Sequence, residues 1–145
     1  AKALGCGVPV GAFVLGKKVA DASLAPGDHG TTYGGNPFVC AAVSKVFDLY
    51  EKEQIVDHVK KVGGYLEQKL NALVEKYDFL KERRGKGLIQ GLEVEGRPVG
   101  EIVNRGLEEG LIFITAGSNV LRFVPPLVVT EADVDEMIAK LEKCF

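Results

Sequence analysis

The sequence predicts an α+β fold in which the larger part of the chain forms one small domain. Three observations predict it. An apolar stripe at helical spacing runs through Ile55, Val59, Val62, Leu66, Leu70, Leu73 and Tyr77. Segments of period two follow at 87–94, 111–115 and 120–124. A last helical pattern opens at Thr130 behind its own capping signal.

Taken in order, the elements have local reasons. Val8 to Leu15 is apolar, broken by Pro9 and Gly11, and predicts a buried strand entered through a Gly-rich loop. Lys17 to Leu24 predicts a short helix. Pro26-Gly27-Asp28-His29-Gly30 is loop chemistry, and the loop continues to Pro37. Pro37 suits the first turn of a helix capped by Asn36, and Phe38 to Glu53 continues as that helix. In the helix from Ile55, Gly63-Gly64 reads as a weakness of roughly 1 kcal/mol per glycine relative to alanine. Gly87 to Val94 predicts a strand with Leu88, Gln90, Leu92 and Val94 on one face. Arg97 to Glu109 is a short amphipathic helix stopped by Gly110. Leu111–Thr115 and Val120–Val124 are strands around the turn Ala116-Gly117-Ser118-Asn119, and Pro125-Pro126 ends the second. Thr130 then caps a helix from Glu131 to Leu141 whose core face is Val134, Met137, Ile138 and Leu141, with Asp133 completing a capping box. The domain at 54–145 is therefore helix, strand, helix, two strands, helix. Residues 38–53 read as a connecting helix. Residues 1–37 look like the tail end of another domain.

Composition bounds the function. The chain has 145 residues, 46% hydrophobic and 26% charged, which is enough apolar material for a core and excludes a disordered tail. A net charge of -2 excludes nucleic-acid binding through a strongly basic face. No apolar run approaches the roughly 18 residues needed to cross a bilayer. Three cysteines, Cys6, Cys40 and Cys144, read as reduced and mostly buried thiols of a cytoplasmic protein, not as a disulfide framework. The opening Ala-Lys and a single methionine, Met137, point to a processed or partial chain.

A few residues stand out chemically. Lys2 precedes Leu4-Gly5-Cys6-Gly7. By default it is a solvated cation, and its functional alternative is a Schiff-base lysine. Between Asp28 and Pro37, two threonines, three glycines and a helix start converge. Such a segment binds phosphate well, but it is equally a structural loop with a good cap. It is no P-loop, since the Lys-Ser/Thr ending is missing. His29 reads as a hydrogen-bonded loop residue and His58 as a surface residue of a helix, and no Cys/His spacing suits zinc. Arg122 lies opposite Leu121 and Phe123 in its strand, as an exposed edge residue or as a clamp for a carboxylate.

Four segments together resemble one family. Ala1-Lys2-Ala3-Leu4-Gly5-Cys6-Gly7-Val8-Pro9-Val10-Gly11-Ala12 resembles the lysine segment of class III (ω-type) aminotransferases. His29-Gly30-Thr31-Thr32-Tyr33-Gly34-Gly35-Asn36-Pro37 resembles their phosphate loop. Arg83-Arg84-Gly85-Lys86-Gly87-Leu88-Ile89-Gln90-Gly91 resembles their RGxGLMxG strand, and Asn119 to Leu127 their last strand pair. The resemblance implies a fold-type I transferase dependent on pyridoxal 5'-phosphate, with its C-terminal small domain at 54–145 and a remnant of the large α/β domain at 1–37.

Residue by residue, the resemblance makes Lys2 the catalytic lysine that binds the cofactor covalently and shuttles the substrate proton. Thr32 becomes the ligand of the phosphate in the neighbouring subunit of a homodimer. Arg122 becomes the receiver of the 2-oxoacid carboxylate. The substrates implied are 2-oxoglutarate and an amino donor, N-acetylornithine first, with ornithine, succinylornithine and 4-aminobutyrate as alternatives. Cys6 departs from the pattern, replacing a glycine common in the lysine loop. The large domain's sheet, the aspartate for the pyridine nitrogen and the glutamate partnering Arg122 would lie upstream, so the 145 residues alone are expected not to turn over substrate. A separately folded, non-catalytic module is the other reading.

Overall fold

A computed structural model describes residues 2–145. The chain divides into two compact units, the first ending at Gln54 and the second running Ile55–Phe145.

The first unit holds a short 3-10 turn at Lys2–Gly5 and two helices, α1 (Lys17–Ser23) and α2 (Pro37–Lys52). Asn36 caps α2 as its chemistry requires. Its carboxamide oxygen accepts from the Val39 N–H at 3.2 Å, and its amide donates to the Tyr33 carbonyl at 2.7 Å. The strand expected at Val8–Leu15 does not form: the segment is irregular, with Phe13 64% and Val14 94% exposed. A strand needs a partner for its backbone, and among the described residues every strand belongs to the second unit. Phe38, Phe47 and Leu49 of α2 are also exposed, which makes this unit unusually apolar on its surface.

The second unit comprises α3 (Ile55–Lys76), β1 (Leu80–Lys86), β2 (Ile89–Val94), α4 (Val99–Glu108), β3 (Ile114–Ala116), β4 (Val120–Phe123) and α5 (Glu131–Lys143). The four strands form one antiparallel sheet in the order β1-β2-β4-β3. Its inner face meets the helices. Leu66, Leu70 and Leu73 of α3 pack with Leu92 and Val94 of β2, Leu121 and Phe123 of β4, Ile102 of α4, and Val134 and Leu141 of α5. Leu88, Gln90, Leu92 and Val94 are all buried, as their alternation requires.

Strand β1 was not expected. Its sequence, Leu-Lys-Glu-Arg-Arg-Gly-Lys, carries no apolar alternation, and only Leu80 is buried. It lies at the edge of the sheet, where charged side chains keep a strand from pairing with other chains. Two further expectations need correction. His58 is half-buried rather than on the surface, because its Nε2 lies 2.9 Å from the Val129 carbonyl oxygen and ties the start of α3 to the loop before α5. Cys40 is exposed, whereas Cys144 is buried with its thiol directed at the Lys140 carbonyl.

The capping box of α5 is complete. The Thr130 hydroxyl oxygen accepts from the Asp133 N–H, and the Thr130 N–H donates to the Asp133 carboxylate at 2.8 Å. The Thr130 hydroxyl and N–H hold the Asp133 carboxyl below its usual range. A lowered folded-state pKa stabilises above the unfolded value and loses that contribution as pH falls through the folded one. Replacing Thr130 by alanine is therefore expected to cost about 1 kcal/mol near neutral pH in urea unfolding, and less in acid.

Candidate functional site

Lys2 and Thr32 belong to the first unit and Arg122 to the second.

The lysine loop is tightly wound. Lys2 has φ 58° and Cys6 φ 46°, both in the left-handed region that favours glycine. This accounts for the glycine expected where Cys6 stands. Cys6 is accommodated by local bonds, its N–H donating to the Ala3 carbonyl at 3.2 Å and its Sγ to the same oxygen at 3.4 Å.

Further along, Thr31 Oγ1 accepts from the Gly34 N–H at 3.1 Å and folds the Gly-rich segment into a turn ahead of α2. Asp28 accepts from the Ala25 N–H at 2.8 Å, and the His29 ring meets Phe13 edge-on at 5.9 Å between centroids. Lys2, Val8, His29, Thr31, Gly34 and Gly35 line one recess of about 690 Å³. Thr32 is exposed and is not among the residues lining it. Lys2 and the Gly-rich turn thus share one concavity. A small molecule carrying both a carbonyl and an anionic group matches that donor set.

Arg122 is exposed, but the edge position weighed for it is ruled out, because β4 lies between β2 and β3. It sits on the sheet face opposite Leu121 and Phe123. Across that face runs one row of register partners, Arg84, Gly91, Arg122 and Ile114. In the neighbouring row, Glu93 is engaged twice, by an ion pair with Arg84 and by the Asn119 amide at 3.1 Å. Among the described residues Arg122 has no ion-pair partner. A planar guanidinium with free donors suits a carboxylate bound from solvent.

The Arg84–Glu93–Asn119 cluster was missed in the sequence. Alternation placed each residue on a face, but only the register brings them together.

The sequence matches the aminotransferase class-III family model over residues 1–145. It is 47% identical over 146 residues to an acetylornithine aminotransferase of Gloeobacter violaceus, and that match covers 100% of this chain and 36% of the relative. It is 45% identical over 145 residues to an acetylornithine aminotransferase of Methanocaldococcus jannaschii, again covering 100% of this chain and 36% of the relative. Among solved structures, the acetylornithine aminotransferase of Elizabethkingia anophelis superposes with a TM-score of 0.77 at 30% identity, covering 83% of this chain and 31% of that one. The chain spans about a third of the length of the relatives it matches.

Proposed function

The chain belongs to the class-III aminotransferases, and from that premise we propose that it is the C-terminal part of an enzyme moving the δ-amino group of N-acetylornithine to 2-oxoglutarate, a step of arginine biosynthesis in the cytoplasm. The observation that carries the reading is the family match over residues 1–145, which puts Lys2, open to a recess, at the family's lysine position. Pyridoxal 5'-phosphate fits that chemistry, with an aldehyde for the Lys2 amine of one subunit and a phosphate for the Gly-rich turn of the other. When bound, that group supplies the electron sink for the chemistry.

This chain's residues supply the rest. Lys2 would hold that group through its Nζ and would carry the proton at the substrate carbon. Arg122 takes the carboxylate of the 2-oxoacid in a two-point grip and so selects and orients the acceptor. Thr32 donates its hydroxyl to the phosphate in a second subunit, a role consistent with its standing outside its own recess. The active protein is then a homodimer. Residues 1–37 are the end of the large cofactor-binding domain, 38–53 the connecting helix and 54–145 the small domain. Ornithine, succinylornithine and 4-aminobutyrate stand as alternative donors.

Trapping tests the proposal. The full-length protein is incubated with pyridoxal 5'-phosphate and reduced with borohydride, and the labelled peptide is mapped. Saturable labelling at Lys2 alone is expected, together with glutamate formation from N-acetylornithine and 2-oxoglutarate. Labelling at another lysine would overturn the assignment. The 145 residues by themselves are expected to label weakly and at many lysines, because without its burying domain Lys2 is an exposed amine like most of the others.

A further inference from the structure

We propose that Gly91 is the positioning residue for Arg122: by carrying no side chain, it is the floor over which the arginine stem lies and from which its guanidinium is aimed. The inference rests on the reading of Arg122 as the receiver of the 2-oxoacid carboxylate.

Gly91 is the direct register partner of Arg122 on β2, and both project to the face away from the helices. That face is otherwise open. Ile89, two residues before Gly91 on the same strand, is 63% exposed, and Arg122 and Arg84 are exposed as well. Gly91 is nevertheless buried. In its own row Gly91 is flanked by Arg84 and Arg122, side chains of the kind that lay an apolar stem along a surface and keep the head in water. Val120, the neighbour of Arg122 in the next row, closes the third side. A Cβ built on Gly91 would stand 3.0 Å from Val120 Cγ1.

Of the two arginines, Arg84 is already drawn toward Glu93, which the Asn119 amide holds in place. The guanidinium left available above the glycine is that of Arg122. A methyl group at position 91 raises the floor under its stem and moves the head off the carboxylate.

Steady-state kinetics of the full-length enzyme separate this role from simple packing. Gly91→Ala is expected to raise KM for 2-oxoglutarate about tenfold, since misplacement of a gripping group by about 1 Å has effects of that order or larger. kcat and the KM for the amino donor are expected to stay near the parent values. Val120→Ala alone is expected to change neither. The double variant Gly91→Ala/Val120→Ala relieves the contact with Val120 but keeps the methyl under Arg122, so the raised KM is expected to persist.

A return of KM to the parent value in the double variant would overturn the proposal, because the effect would then be packing against Val120. An unchanged KM in Gly91→Ala, with a raised KM in Arg122→Ala, would overturn it alone. An unchanged KM in Arg122→Ala would overturn both this proposal and the reading of Arg122 beneath it.

Discussion

Gly63→Ala is expected to destabilise the second unit by about 1–3 kcal/mol, the range for forcing extra volume into a packed site, while Gly64→Ala is expected to stabilise it by about 1 kcal/mol. The two residues are adjacent in α3, and helix propensity treats them alike. Their surroundings do not. A Cβ on Gly63 would stand 2.8 Å from Gly87 Cα and 2.9 Å from its carbonyl carbon, closer than real Cβ atoms approach. Those are backbone atoms, so no side chain can swing aside. Gly87 itself has φ 57° in the tight connection between β1 and β2, where Lys86 pairs with Ile89, and the turn has little freedom to retreat. A Cβ on Gly64 meets nothing within 4 Å. Gly63 is therefore where helix and hairpin touch backbone to backbone, and only Gly64 is the weakness read from the sequence. Urea unfolding decides it: the midpoints are expected to move in opposite directions at unchanged m. A Gly63→Ala variant as stable as the parent would refute the close contact.

Features with local causes were legible in the sequence. The stripe of α3, the Asn36 cap, the Thr130–Asp133 box and the inward face of β2 each depend on residues within a few positions of one another. What failed depended on partners distant in sequence. Val8–Leu15 has a strand's composition, but no described strand pairs with it. Strand β1 has an edge strand's charges, and it becomes a strand because β2 pairs with it. His58 looked like a surface residue because its partner, the Val129 carbonyl, is 71 positions away. The candidate site divides the same way. Alternation put Arg122 on the open face. That it is central in the sheet, opposite Gly91 and in one row with an arginine already paired, follows from register alone.

Arg83→Met and Gln90→Leu are each expected to cost about 2–4 kcal/mol, and the double variant about 1 kcal/mol or more below their sum. The reason is one polar cluster enclosed under the β1–β2 hairpin. Gln90 is 1% exposed on the inner face of β2, and the Arg83 side chain is 15% exposed beside it. The Arg83 guanidinium donates to Gln90 Oε1 at 2.8 Å, to Glu67 Oε1 at 2.7 Å and, through Nε, to Asn71 Oδ1 at 2.9 Å. Gln90 Nε2 completes the circuit by donating to the Gly87 carbonyl at 2.7 Å. Remove Gln90 alone, and an arginine N–H and the Gly87 carbonyl lose their partners in a place water reaches poorly. Remove Arg83 alone, and Gln90 Oε1 is left bare. Glu67 and Asn71 lose a partner too, but both are more open to solvent, which limits that part of the cost. Removing both takes away the orphaned groups together with their partners, so the second substitution costs less once the first is made. Strict additivity of the three unfolding free energies would show that the two side chains act independently. Their coupling would show that one polar circuit seats the hairpin on α3, the hairpin whose second strand pairs Gly91 with Arg122.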